Sequence, residues 1–186
     1  MIYLSEYDCV ERMQDNRTEH KLGRSLLAFG LKEEYGRVYS VRQDKGGKPV
    51  LEEPGVFFNI SHTCGVVVCA VCDRVVGIDA ERIRPFDKRL MRRVCTEEEQ
   101  AYIYQGVREE ICRQRFFRLW TLKESYLKAT GRGISLPMRE VAFSLEETVD
   151  GGLCIHSDRP DWQFGQFLYG GRYVVSVCRK GLHHGK

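Results

Sequence analysis

Hydrophobic residues recur at helical spacing over residues 16–35, where Leu22, Leu26, Leu27 and Phe29 lie before Gly36, a natural stop. Asn16 followed by Glu19 makes a capping-box pattern at the start of this helix. The period then falls to two. β-type runs over residues 38–43, 56–60, 66–72 and 75–81 are separated by turn-forming residues, and they predict an antiparallel meander. Helical spacing returns over residues 97–105. A longer helix over residues 108–130 carries Ile111, Phe116, Phe117, Trp120 and Leu127 and ends at Gly131. Strands are predicted again over residues 141–145, 162–168 and 173–178. The chain thus states one theme twice, a helix followed by antiparallel strands, with the switch near residue 80. The predicted class is α/β in the α+β sense: two similar halves, 1–80 and 81–186, each a long helix on a small antiparallel sheet. With no low-complexity linker between them, the halves pack on one another as one compact unit.

Composition narrows the picture. At 186 residues, 42% hydrophobic and 30% charged, the chain matches an ordinary globular domain and excludes disorder, collagen and coiled coil. Its longest apolar run, residues 65–72, is far short of the roughly 20 residues that span a bilayer. Glu6 and Asp8 interrupt the amino-terminal stretch where a signal peptide needs apolar residues, so the expected location is cytoplasmic, with no membrane partner. The eight cysteines therefore read as mostly buried thiols rather than a disulfide framework. Cys69 and Cys72, three apart in a valine-rich strand, face opposite sides, which argues against a zinc or redox pair. A net charge of +3 is too small to imply nucleic acid. Basic residues nonetheless cluster at Arg82, Arg84, Lys88, Arg89, Arg92 and Arg93, then at Arg108, Arg113, Arg115 and Arg118, which suits an anionic ligand or partner.

Four local patterns carry chemistry. In Val75-Val76-Gly77-Ile78-Asp79-Ala80-Glu81, strand alternation puts Val76, Ile78 and Ala80 on one face and Gly77, Asp79 and Glu81 on the other. Two neighbouring carboxylates disfavour each other's ionisation unless a cation sits between them or they reach water, so the pair is either a magnesium site or an exposed polar face. On the long helix, Trp120, Glu124 and Lys128 share one stripe at i, i+4 and i+8, either as an ordinary surface ion pair or as a third carboxylate and a phosphate-binding lysine. Thr96 and Glu99 form a capping box, in which the glutamate closes the backbone at a helix start. Last, Lys48 beside Gly47 and Pro49, and His62 at the end of Phe58-Asn59-Ile60-Ser61-His62, sit in or beside loops where they are either exposed or phosphate-binding.

Together and in order, these pieces resemble the 4'-phosphopantetheinyl transferases, specifically the larger monomeric type that activates peptide and polyketide synthetase carrier proteins. The resemblance covers residues from about 46 to 140 and includes Ser135-Leu136-Pro137. It implies a pseudo-two-fold fold with a cleft between the halves. It also implies transfer of the 4'-phosphopantetheine group from coenzyme A to a serine of an apo acyl or peptidyl carrier protein, an acidic partner, with 3',5'-ADP released. Carried over by position, it makes Asp79, Glu81 and Glu124 ligands of Mg2+, and Glu99 the candidate base, with Lys128 and Glu124 also in the catalytic set. Lys48, Ser61, His62, Asp79, Lys123 and Lys128 would contact coenzyme A, with Lys48 and His62 at the adenylate end and its 3'-phosphate. Before the first helix the chain is short where the family supplies basic contacts; His20, Lys21 and Arg24 are the side chains on hand to substitute. Two other readings fit part of the pattern: a magnesium-dependent phosphodiesterase or nuclease, and a catalytically silent module that binds coenzyme A or a carrier protein.

Overall fold

The computed structural model describes residues 1–9, 16–37, 39–44, 46–106, 108–133, 136–148 and 152–182. Strand β1 (Ile2–Glu6) precedes helix α1 (Asn16–Tyr35), a small hairpin β2 (Val41–Gln43) and β3 (Pro49–Leu51), and strands β4 (Phe57–Thr63), β5 (Val66–Cys72) and β6 (Val76–Arg82). Helices α2 (Lys88–Val94), α3 (Glu97–Tyr104) and α4 (Glu109–Thr130) follow. Strands β7 (Phe143–Glu147), β8 (Leu153–Ser157), β9 (Trp162–Tyr169) and β10 (Tyr173–Lys180) complete the fold.

Two three-stranded antiparallel sheets form the centre, ordered β1-β5-β4 and β6-β10-β9. Alternation along β5 explains the layering. Cys69 and Val71 pack with Leu27 and Leu31 of α1, while Val66, Val68 and Ala70 face Val76, Ile78, Ala80 and Val175 of the second sheet. Helix α4 covers the other face of that second sheet through a cluster that includes Leu122, Tyr126, Val174 and Cys178. Each half is thus a long helix on a small antiparallel sheet, with the inner faces of both sheets closed on one another.

The predicted meander is formed only in part: β4 and β5 pair antiparallel, while β2 and β3 make a separate hairpin. Strand β6 leaves its sequence neighbour β5 and pairs with β10, Asp79 opposite Ser176. Short-range alternation identifies a strand but not its partner, and here the partner lies almost a hundred residues away. Where β6 passes β4, two of its backbone amides are met by side chains instead of a ladder: Ile78 donates to Asn59 Oδ1 at 2.9 Å and Ala80 to Ser61 Oγ at 3.3 Å. Cys69 is fully buried and Cys72 only partly, on opposite faces of β5 as expected. Cys9 and Cys64, by contrast, form a disulfide, which corrects the expectation of thiols for that pair. Tyr7 donates its backbone N–H to Gly65 O at 3.1 Å, and so lays the end of the first segment along the β4–β5 turn. Among the described residues no helix is long and apolar enough to cross a membrane.

Candidate active site

Gly77 decides the geometry. A Cβ there would stand 2.0 Å from the backbone oxygen of Ser125 and 2.5 Å from the amide nitrogen of Ala129. The space this glycine clears is filled by α4 itself, whose backbone runs directly over β6. That contact sets the Glu124–Lys128 stripe above Asp79 and Glu81.

Asp79 is 5% exposed and lies at the centre of the cluster. Its Oδ1 accepts from Ser61 Oγ at 2.9 Å and from Lys128 Nζ at 2.6 Å. Lys128 also donates to Ser61 Oγ at 2.8 Å. Ser61 therefore uses its one proton on Asp79 and its lone pairs on Lys128 and Ala80. Lys48 reaches across from the β2–β3 loop and donates to the backbone carbonyl of Lys128 at 2.6 Å. Burial holds the Lys48 ammonium below the usual lysine range; nearby Lys128 adds to this and Asp44 opposes it.

Glu81 pairs with Arg84 at 2.6 Å and accepts from Thr63 at 3.4 Å. Burial pushes its carboxyl up, against the opposing pull of Arg84. The Glu124 carboxyl is also pushed up, first by burial and then by the negative charge of Asp79. These three carboxylates share one field, with Lys128 and Arg84 as the cations beside them. Among the described residues no three His, Cys, Asp or Glu side chains converge closely enough to hold a metal as they stand. Asp79 Oδ2, however, is buried without a hydrogen-bond partner, an acceptor a cation would satisfy.

His62 points away from this cluster, because alternation along β4 turns Ser61 toward β6 and His62 toward α1. Its Nδ1 lies 2.7 Å from Glu19 Oε2. With His20, Arg24, Gly47, Pro49 and Phe58 it lines a cavity of ≈ 730 Å³ between α1 and the β2–β3 hairpin. His20 and Arg24 thus stand beside His62 at one turn's spacing, whereas Lys21 lies on a neighbouring recess. The Glu19 carboxylate meets Tyr7 and His62.

Glu99 and Lys123 lie elsewhere. Glu99 is 2% exposed and completes the capping box with Thr96. Its Oε1 accepts from the Phe143 amide at 2.9 Å, and its Oε2 stands 2.7 Å from Lys123 Nζ. Lys123 is fully buried and also donates to Met138 O at 3.1 Å and Val141 O at 2.7 Å. Its three N–H groups are committed to Glu99, Met138 O and Val141 O. With three of its roughly four lone-pair sites taken, Glu99 is closed off from solvent in this arrangement. Ser135 lies outside the described residues.

The family model described as the 4'-phosphopantetheinyl transferase superfamily matches residues 75–178, from just before β6 into β10. The chain belongs to that superfamily. Relatives within it include the 4'-phosphopantetheinyl transferase gsp of Aneurinibacillus migulanus, 36% identical over 107 residues that make up 58% of this chain and 44% of the relative. Psf-1 of Bacillus pumilus is 32% identical over 138 residues, 72% of this chain and 58% of that one. HetI of Nostoc sp. is 33% identical over 166 residues, 86% of this chain and 68% of that one. The chain spans about half the length of the first two of these superfamily members.

Proposed function

We propose that this protein transfers the 4'-phosphopantetheine group from coenzyme A to a serine hydroxyl of an apo carrier protein. The observation that carries this reading is the Asp79–Ser61–Lys128 cluster, whose Asp79 and Lys128 lie where α4 crosses β6 in the segment that matches the superfamily, with Ser61 added from β4. The serine oxygen forms a bond to the phosphorus that bears pantetheine, and the pyrophosphate linkage to 3',5'-ADP breaks. The serine proton leaves to a base. Lys128 and Lys48 supply positive charge for the pyrophosphate. His62, with His20 and Arg24 beside it, supplies it for the 3'-phosphate in the ≈ 730 Å³ cavity.

Asp79, Glu81 and Glu124 would hold magnesium, and the donor set suits it: a buried, unpartnered Asp79 oxygen and two carboxylates whose ionisation is opposed by burial. When bound, the ion offsets negative charge on the leaving pyrophosphate. The exposed Lys88, Arg89, Arg92 and Arg93 on and around α2 suit an acidic carrier helix and would speed encounter with it. Of the second basic run, Arg113 and Arg118 are engaged with Glu109 and Gln166, which favours α2 as the docking element. We place the protein in the cytoplasm as a monomer.

The test is to mix the protein with coenzyme A, magnesium and an apo carrier protein, then weigh the carrier by mass spectrometry. A phosphopantetheine adduct on serine and release of 3',5'-ADP are expected. Asp79→Ala should abolish the adduct while circular dichroism stays native. Hydrolysis of coenzyme A with no adduct on the carrier would overturn the reading in favour of a phosphodiesterase.

A further inference from the structure

Glu19 is a carboxylate at the first turn of α1, 1% exposed, in a place where the reaction as written has no use for it. Burying a charge there is costly unless partners satisfy it. Its two oxygens divide between two partners. Oε1 takes the Tyr7 hydroxyl, and Oε2 stands 2.7 Å from His62 Nδ1. Tyr7 is itself fixed: its backbone is bonded to Gly65, its hydroxyl also lies 3.3 Å from Thr63 O, and burial with the Glu19 bond pushes its pKa up to about 12. The phenol therefore remains a donor to Glu19 across the ordinary pH range.

An imidazole has two nitrogens, and the hydrogen bond made by one decides what the other offers. A ring protonated on both nitrogens can give Nε2–H to a phosphate while Nδ1–H goes to an acceptor away from the ligand. Glu19 Oε2, buried without a hydrogen-bond partner and 2.7 Å from Nδ1, is the ion-pair partner on that side. We propose that Glu19, braced by Tyr7, is a positioning residue that holds His62 Nδ1 from behind and presents Nε2 to the cavity as an anion donor. The charged and titratable groups around the ring are Glu19, His20 and Arg24 from α1, Arg42 from β2, and Glu81, Arg82 and Arg84, which share a smaller recess with it. The inference rests on the coenzyme A reading for the identity of the anion, the 3'-phosphate, but not for the Glu19–His62 contact itself.

Two measurements separate those parts. In the ligand-free protein, side-chain nitrogen NMR of His62 should report a protonated Nδ1, and Glu19→Gln should shift it. By calorimetry, Glu19→Gln should weaken coenzyme A about tenfold, as loss of one charge-assisted hydrogen bond would. Dephospho-coenzyme A, which lacks the 3'-phosphate, should bind within about twofold of its original strength. In a His62→Ala background, Glu19→Gln should cost nothing further for coenzyme A, since a residue acting through His62 has nothing left to position. Tyr7→Phe keeps the buried ring and should give the same pattern at smaller size, which covers the case of Glu19→Gln folding poorly. An unchanged His62 spectrum, or an equal loss on both ligands that persists without His62, would make Glu19 a purely structural carboxylate. Failure of the original protein to bind either ligand would overturn the coenzyme A reading, while the His62 spectrum would still decide the contact.

Discussion

Glu124 stands half-buried among Asp79, Glu81 and Lys128, with its carboxyl pushed up mainly by burial. A carboxyl raised in the folded state favours folding below its unfolded value, and that advantage is lost as pH rises through the folded value. Glu124→Gln carries no such loss. In metal-free buffer the variant should unfold at higher urea than the original at about pH 8, with the gap closing toward about pH 4, where an ordinary glutamate is protonated. Magnesium should then stabilise the original protein and not the variant. At this scale much was legible. Strand alternation put Asp79 and Glu81 together, and the i+4 rule put Glu124 and Lys128 on one stripe. Two things were not. The turn of His62 toward α1 depends on which side of β4 that helix covers, and the loss of Lys123 to Glu99 depends on a packing partner 24 positions back.

Helix α4 sits where it does because β6 lacks a side chain at Gly77. Gly77→Ala would drive a methyl into the Ser125 carbonyl and the Ala129 amide, both backbone. The helix must lift, so destabilisation near the top of the ~1–3 kcal/mol range for overpacking is expected, together with loss of transfer activity, by denaturant unfolding and carrier mass. Glu99 ties α3 to α4 and to β7. Glu99→Gln keeps a capping amide but leaves Lys123 buried without its counter-charge, and losing one partner of a buried pair typically costs about 3–5 kcal/mol. A large fall in the unfolding midpoint is the expected outcome. An unchanged midpoint with lost turnover would return Glu99 to the role of base. Elements missed by the sequence reading share a cause. Helix α2 is dominated by arginine and lysine, yet Asp87 caps it and Met91 and Val94 supply its buried face. Strand β1 is five residues long and gains its identity only by pairing with β5.

At the level of the whole molecule, the Cys9–Cys64 disulfide joins positions 55 apart and ties the amino-terminal segment to the β4–β5 turn. Closing a loop of that length is typically worth about 2–4 kcal/mol. Reductant, or Cys64→Ser, should therefore lower the melting temperature, with coenzyme A binding measured alongside. The seam between the halves has a different consequence. A run of main-chain bonds is indifferent to side-chain identity and would accept any strand of the right length. Here β6 is received by Asn59 and Ser61 of β4, so the first sheet carries an address that the second sheet must match. A chimaera that takes one half from a relative would need acceptors at those two positions before it could close. Ser61 also donates to Asp79, so joining the two sheets and fixing the Asp79 carboxylate are the same event. A protein built this way has no stage at which it is half assembled and already active.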